Sequence, residues 1–438
     1  MPRSVLVILL TAFLPLVYLL GLVLGSKNTA LEWEQPVKVI GTNTPVAVRA
    51  ANPHGVREFT AVLVQGGRQY PVFSKSEGAV RWSLFRKPEN PRSYQFEAGS
   101  KIAPGLTDGK AELLVEAVSN DLWARRTRLT LPVEVNTKPP ALQVDDTQIV
   151  ITQGGAGAVA FFVSGYWTEA GVRIGSYEFR SFPNPGAKDP SRRICIFAVP
   201  YDLPAGQKPV VFARNPAGVE VTAGVKHDLD RKKFRTRELD LPQSFVDKVL
   251  QELDRGGSGD TVERFRRVNS EMRKANNQAL YNLRLKTEDR PLWTGPFRQL
   301  ANTAVQAQFC DYRKYKYQGK LIDEQVHLGF DLASTRHADV VAANDGRVIH
   351  AAPLGIYGNA VVVDHGLAVQ SLYAHLSEIK VKVGDAVKRG QLLGRSGSTG
   401  LAGGDHLHFS MQVDGVAVNP LEWWDPAWIE KRLVSRYR

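Results

Sequence analysis

Three short segments in the last third of this 438-residue sequence carry histidine and aspartate at spacings that allow shared chemistry. They are His327-Leu328-Gly329-Phe330-Asp331, Tyr373-Ala374-His375-Leu376 and His406-Leu407-His408. Residues two apart in an extended strand project from the same face, so His406 and His408 are predicted to point into one cleft. His327 and Asp331 also share a face if extended, and Gly329 would permit a local bend. We therefore expect one carboxylate and several imidazoles to converge.

Metal chemistry is the chemistry that such a set of side chains supports. The chain has only two cysteines, so any metal site must use histidine and carboxylate rather than thiolates. A catalytic zinc ion takes three protein ligands and keeps one position open for water, whose pKa it lowers towards about 7. Histidines left over near the metal can accept a proton from that water or stabilise an oxyanion. A lone histidine is usually incidental, whereas three such segments in one β-rich stretch are a more specific signal.

The elements that position these segments are predicted from short apolar runs separated by Gly, Asn and Pro, which indicate a mainly β protein. Residues 31–138 and 141–225 are predicted to form two β-sandwich modules of immunoglobulin-like type. Residues 226–290 are predicted as a helical linker or hairpin, either a spacer or a lid, with an amphipathic membrane-surface helix as the alternative. Residues 291–426 are predicted as an antiparallel-β domain that holds the three segments, followed by a basic tail at 427–438.

Two residues predict where the second helix of the hairpin begins. Asp260 and Glu263 are three apart, which is the spacing of a capping box.

The N-terminal stretch predicts export. Residues 5–24 are uncharged and would be about 30 Å long as a helix, enough to cross the hydrocarbon core. Arg3 precedes this run, so the positive-inside rule leaves the rest of the chain outside the cytoplasm. We expect residues 1–30 to be a single-pass anchor in the inner (cytoplasmic) membrane, with the bulk of the chain in the periplasm or outer envelope. A cleaved signal peptide is the alternative.

The net charge of +12 raises the question of a nucleic-acid partner. Residues 291–430 contain 12 basic and 14 acidic residues. The excess of positive charge therefore lies outside the predicted domain that holds the three segments. No base-reading motif accompanies it. We therefore expect no nucleic-acid partner.

The three segments resemble the lysostaphin-like zinc metallopeptidases, the LytM-domain peptidoglycan endopeptidases, over residues 293–424. That family is marked by His-x-Gly-x-Asp, a Tyr-Ala-His-Leu segment and His-Leu-His-Phe, and all three occur here. The resemblance implies that His327, Asp331 and His408 bind one zinc ion per chain. It implies that His375 and His406 are the catalytic pair, without saying which one is the general base and which one stabilises the transition state.

The function implied by this resemblance is a membrane-anchored zinc endopeptidase that hydrolyses peptide cross-links of bacterial peptidoglycan through a zinc-activated water. Its substrates would be peptidoglycan stem peptides, and an envelope protein is a possible partner. The alternative is a non-catalytic LytM-like regulator or activator of a cell-wall amidase. Non-catalytic members have lost ligands, so the five intact positions favour the enzyme. A further hypothesis is that residues 313–317 or the β-modules cover the cleft and keep the enzyme latent.

Overall fold

The computed structural model describes residues 13, 15–23, 25–80 and 87–437. These residues form a mainly β protein with few helices, as the sequence predicts. Two compact units are present. The first contains the residues up to Pro140 together with 165–168 and 214–221, and the second contains the rest of the chain.

Part of the predicted membrane anchor, residues 1–12, 14 and 24, lies outside the described residues. Residues 13, 15–23 and 25 are helical. Within the described part of the chain, no helix combines the length and the apolar character needed to span a membrane. The anchor at residues 1–30 therefore stays a prediction.

The described residues between 25 and 140 of the first unit form eight strands in two sheets that enclose one core. The strand order is β1-β3-β6 in one sheet and β2-β8-β7-β4-β5 in the other. Side chains along β3 alternate between buried and less buried positions because one face of the sheet covers the core. The strands are β1 (Ala30–Trp33), β2 (Val39–Ile40), β3 (Thr44–Ala51), β4 (Val56–Gln65), β5 (Arg68–Ser76), β6 (Arg92–Ala98), β7 (Gly109–Ser119) and β8 (Arg126–Val135).

The second β-module is built from ten strands. Two four-stranded sheets have the orders β14-β15-β11-β9 and β13-β12-β16-β17, and β10 pairs in parallel with β18. The strands are β9 (Ala141–Val144), β10 (Ile149–Thr152), β11 (Ala156–Ser164), β12 (Glu169–Ile174), β13 (Tyr177–Arg180), β14 (Phe182–Pro183), β15 (Arg192–Ala198), β16 (Val210–Arg214), β17 (Glu220–Gly224) and β18 (His227–Asp230).

The segment 226–290 is not entirely helical, which corrects the prediction for its first part. It begins with β18 and with β19 (Thr236–Asp240), and each of these pairs in parallel with a strand far away in the sequence. The helices are α1 (Gln243–Leu253), α2 (Thr261–Arg266) and α3 (Arg273–Leu283), and a π-helical stretch (Arg267–Met272) joins α2 to α3.

The predicted capping box begins α2. The Asp260 side chain accepts a hydrogen bond from the Glu263 backbone N–H at 2.9 Å. The Glu263 side chain accepts one from the Asp260 backbone N–H in return.

The C-terminal domain is antiparallel, as predicted, apart from the contribution of β19. Its main sheet has the order β20-β23-β31-β27-β26-β25-β29, with β32 paired to β31. Two smaller sheets have the orders β19-β21-β22 and β24-β30-β28. The strands are β20 (Ala304–Ala307), β21 (Asp311–Tyr317), β22 (Lys320–His327), β23 (Phe330–Ala333), β24 (Asp339–Val341), β25 (Gly346–Pro353), β26 (Asn359–Asp364), β27 (Val369–Leu376), β28 (Glu378–Ile379), β29 (Ala386–Val387), β30 (Leu392–Arg395), β31 (Leu407–Val413) and β32 (Val416–Val418).

The segment predicted as a basic tail, residues 427–438, forms helical turns over its described residues. Helices α4 (Pro420–Trp424) and α5 (Pro426–Trp428) are followed by a π-helical turn (Ile429–Leu433) and a 3-10 turn (Val434–Tyr437). Ile429 and Leu433 are buried, so this segment packs on the domain.

Candidate metal centre

Strand β31 lies in the middle of the main sheet and brings the predicted site residues together. Its His408 is the register partner of Asp331 in β23 on one side and of Ala374 in β27 on the other. His375 follows Ala374 directly, and His406 precedes β31 in a bridge to Gly397. Residues far apart in the sequence therefore meet because three antiparallel strands are in register.

His327, Asp331 and His408 form one compact cluster. Asp331 Oδ1 lies 2.9 Å from His327 Nε2 and 2.9 Å from His408 Nδ1, and those two nitrogens are also 2.9 Å apart. All three side chains are buried, and their ligand atoms lie within 4.8 Å of one another. Two imidazole nitrogens and one carboxylate oxygen are a ligand set that fits zinc.

The tautomer of His327 also fits a metal ligand. Its Nδ1 lies 2.9 Å from the backbone carbonyl oxygen of Gln308, and a carbonyl can only accept a hydrogen bond. The proton therefore resides on Nδ1, and the lone pair of Nε2 faces the cluster. Histidines that bind metals are commonly held by this kind of contact.

Asp331 has different partners for its two carboxylate oxygens. Oδ1 faces the histidines, whereas Oδ2 accepts a hydrogen bond from Arg313 Nη2 at 2.7 Å. Burial by itself would raise the pKa of Asp331, but His327, His406 and His408 hold this pKa well below its usual range. Asp331 is therefore an anion at neutral pH, with its orientation fixed by Arg313.

His375 and His406 lie beside the cluster, with ring centroids 4.9 Å apart. His375 Nδ1 donates to the Thr399 carbonyl at 2.8 Å and His406 Nδ1 to the Gly404 carbonyl at 2.9 Å, so each Nε2 is free of these backbone contacts. Burial and the neighbouring histidines lower the pKa of His375 well below its ordinary value. Burial would also lower the pKa of His406, but its hydrogen bond to Asp331 raises it.

All five predicted site residues line one cleft of about 570 Å³. One wall comes from β19 and the start of α1, and another from the loop before His406. Besides the five, the cleft is lined by Arg237, Leu239, Asp240, Leu241, Pro242, Phe245, Arg273, Gln306, Ala307, Arg313, Tyr315, Ile356, Tyr357, Leu401, Ala402, Gly403 and Gly404.

Helix α1 is bonded to the loop that supports His375. Lys248 Nζ donates to the Ser398 carbonyl and, at 2.9 Å, to the Ala402 carbonyl. The Gly400 backbone N–H donates to Glu252 Oε1 at 2.5 Å. The loop between these contacts contains Thr399, whose carbonyl holds His375. The predicted spacer or lid therefore forms part of the cleft wall.

The remaining histidines do not line the cleft. His365 is buried, with Nδ1 2.7 Å from the Asp345 carbonyl and Nε2 2.8 Å from Ser371 Oγ, and burial lowers its pKa to about 4. Both ring nitrogens are therefore used in hydrogen bonds inside the domain, which is a structural role. Tyr373 accepts a hydrogen bond from the Ala343 backbone N–H inside the sheet.

Sequence reasoning missed Arg273, Lys248 and Glu252 as neighbours of the site. All three belong to the helical segment; Arg273 lines the cleft, whereas Lys248 and Glu252 contact the loop beside it. A charged residue on a predicted helix is usually solvated, so no local signal identified them.

Comparison with known proteins gives a match that contains all five predicted site residues but not the cleft wall formed by β19, α1 and Arg273. Residues 325–420 match peptidase family M23. An uncharacterized metalloprotease of Haemophilus influenzae is 34% identical over 149 residues, which is 34% of this chain and 30% of that protein. Peptidoglycan DD-endopeptidase ShyA of Vibrio cholerae is 41% identical over 96 residues, 22% of each chain.

A relative that is named as an activator of hydrolases, rather than as a peptidase, also matches. Murein hydrolase activator NlpD of Salmonella dublin is 33% identical over 129 residues, 28% of this chain and 34% of that protein. The catalytic domain of lysostaphin from Staphylococcus simulans, a solved structure, is 31% identical, with a TM-score of 0.24 and coverage of 27% of this chain and 90% of that one. The match spans about a third or less of the length of these three curated relatives.

Proposed function

Because the C-terminal region of this chain is a peptidase M23 domain of the LytM and lysostaphin-like type, we propose that the protein is a zinc metalloendopeptidase that hydrolyses peptide cross-links of bacterial peptidoglycan. One observation carries the proposal: His327, Asp331, His375, His406 and His408 line a single cleft. The name of the relative ShyA supports the substrate class. The uncharged run at residues 5–24 supports anchoring in the cytoplasmic membrane, with the domain in the periplasm or outer envelope.

The residues of the cleft divide into holding and proton-transfer roles. His327, Asp331 and His408 would hold the zinc ion, and Arg313 keeps the Asp331 carboxylate oriented through Oδ2. Zinc bound there would supply a Lewis acid that polarises the scissile carbonyl and acidifies water. His375 and His406, with Nδ1 of each bound to a backbone carbonyl, would present Nε2 for accepting and returning the proton.

Muropeptide mass spectrometry tests the proposal. The purified full chain, in detergent and with one equivalent of zinc, is incubated with cross-linked muropeptides. We expect dimers to be converted to monomers. His408→Ala should lose both zinc and activity, whereas His375→Ala should keep zinc and lose activity by about 100-fold or more. His350→Ala is the matched control, because His350 lies in the same domain outside the cleft.

The outcomes separate the enzyme from the regulator. Undiminished cleavage by His408→Ala would contradict the proposed metal site. A wild-type chain that holds zinc but leaves every dimer intact would contradict the proposed reaction. If such a chain stimulated a wall amidase, the second candidate would be supported, which the similarity to NlpD motivates.

A further inference from the structure

Arg273 occupies a distinctive position between two cavities. It is the first residue of α3 and lines the cleft that contains the histidine cluster. It also lines a second groove of about 390 Å³, whose other charged residues are Lys274 and Asp202. Its side chain therefore borders both cavities.

The guanidinium group is held in place by its own helix. Nε donates to the Asn269 carbonyl at 2.9 Å, and Nη2 donates to Asn269 Oδ1 at 2.7 Å. Asn269 is fully buried, and its Nδ2 donates to Asp323 Oδ2 at 2.8 Å, which orients the amide oxygen towards Arg273. Asn269 lies in the π-helical stretch, and such stretches occur frequently at functional sites.

Arg273 has no acidic partner among the residues that the structure describes. Both hydrogen-bond acceptors of its guanidinium belong to Asn269 and are neutral, and Nη1 donates to none of the described residues. By contrast, Arg313 in the same cleft is paired with Asp331. A fixed, half-buried guanidinium without a counter-ion in the wall of a cleft is suited to bind an anion in two-pronged geometry.

The helix that carries Arg273 is tied to the domain that holds the cluster. Asn276 Oδ1 accepts a hydrogen bond from the Ile356 backbone N–H at 2.9 Å, and Asn277 Oδ1 accepts one from the Tyr357 hydroxyl at 2.8 Å. The Tyr357 ring lies 5.7 Å from the His408 ring, between centroids. The position of Arg273 relative to the cluster is therefore set by direct contacts.

We propose that Arg273 is a specificity residue that binds a free carboxylate of the peptide substrate while the scissile bond lies at the histidine cluster. The inference rests on the proposed peptidase function and adds to it the charge of the preferred substrate. Peptides that carry the carboxylate are cleaved in preference to the same peptides with a carboxamide at that position. The preference weakens as salt concentration rises, because salt screens the partly exposed charges.

Paired substrates test this inference with the full chain loaded with zinc. Each free carboxylate of a synthetic cross-linked stem peptide is replaced in turn by a carboxamide, and kcat and KM are measured separately. In the wild type, amidation at one position is expected to lower kcat/KM about tenfold or more, mainly through KM. In Arg273→Gln this difference disappears, whereas Arg273→Lys keeps part of it. Arg389→Gln, an exposed arginine of the same domain outside both cavities, should behave as the wild type.

The possible failures are distinguishable. If amidation of each carboxylate changes kcat/KM of Arg273→Gln as much as it changes kcat/KM of the wild type, the inference is overturned and the peptidase function stands. If no peptide is cleaved, the affinity of the carboxylate peptides is measured by calorimetry. Equal affinity for wild type and Arg273→Gln then overturns the inference, whereas a tenfold weaker affinity of the variant supports it while the proposed reaction fails.

Discussion

Glu422 is a largely buried carboxyl group in α4, at the contact between the second β-module and the C-terminal domain. Its Oε2 accepts a hydrogen bond from the Ala156 backbone N–H at 2.7 Å, and no described basic side chain lies within 4 Å of it. Burial raises the pKa of Glu422 to about 8, although Arg432 and Lys232 partly oppose this. The folded protein therefore keeps a proton here that the unfolded chain releases near its ordinary carboxyl pKa.

The raised pKa of Glu422 predicts how the stability of the folded protein changes with pH. Between about pH 4.5 and pH 8 the folded state binds more protons at this position than the unfolded state, so the contribution of Glu422 to stability falls as pH rises. Glu422→Gln keeps an acceptor for Ala156 and cannot ionise. We expect the free energy of unfolding of this variant, relative to wild type, to increase by about 1 kcal/mol per pH unit between pH 5 and pH 8, then to level off.

Urea denaturation of both proteins at several pH values measures this difference. Glu324→Gln, at an exposed position of the same domain, is the control and should run parallel to wild type. Parallel curves for Glu422→Gln as well would contradict a raised pKa at Glu422.

At the scale of elements, helix α1 supports His375, one of the proposed catalytic pair, from outside the matched residues 325–420. Lys248 and Glu252 together hold the backbone at Ser398, Gly400 and Ala402. Burial lowers the pKa of Lys248, so the ammonium is held in place by these carbonyls against a desolvation cost. The helix therefore positions His375 through the loop rather than by direct contact.

Removing the Lys248 ammonium is expected to lower kcat without lowering the zinc content. Lys248→Met keeps most of the side-chain stem but neither hydrogen bond. We expect kcat to fall about tenfold, because small displacements of catalytic groups are costly, while zinc content and helical circular dichroism stay unchanged. Gln251→Met, at an exposed position of the same helix, should leave kcat unaltered. A normal kcat for Lys248→Met would show that the loop is positioned by its other contacts alone.

At the scale of the whole molecule, the buried carboxylate of Asp414 is one of the contacts that join the second β-module to the C-terminal domain within the second compact unit. Asp414 occupies the two-residue turn between β31 and β32 with a φ of 46°, and Gly415 follows with a φ of 81°, which suits an Asp-Gly hairpin turn. Its side chain accepts hydrogen bonds from the Arg180 backbone N–H at 2.9 Å, from Arg180 Nη2 at 2.6 Å and from Arg284 Nη1 at 3.2 Å. Strand β13, the end of α3 and the peptidase sheet therefore meet at Asp414.

Neutralising this carboxylate should destabilise the second unit. Asp414→Asn leaves the two partly exposed arginines without their shared anion, and losing these charge-assisted hydrogen bonds costs about 1–3 kcal/mol. We expect a lower Tm and a lower urea midpoint, measured for the full chain. The exposed Asp289→Asn is the control, with less than about 0.5 kcal/mol of change. Equal stability of the two variants would mean that Asp414 does not couple these elements.

The sequence by itself predicted a metal-ligating cluster and determined the class of the domain around it. Histidine and aspartate at these spacings, in a chain with two cysteines, predict a zinc site of nitrogen and oxygen ligands, and alternating apolar runs predict antiparallel strands. These are local properties of residue type and period. The capping box at Asp260 was predictable for the same reason.

Only the tertiary structure decided what surrounds the cluster. Strands β18 and β19 were missed because each is short and polar and pairs in parallel with a distant strand, so it carries no local apolar pattern. Arg313 and Arg273 line the cleft, and Lys248 contacts the loop beside it, through side-chain contacts that depend on packing. A charged residue on a helix face has the same local sequence signal whether it is solvated or turned into a cleft, and only the fold distinguishes the two.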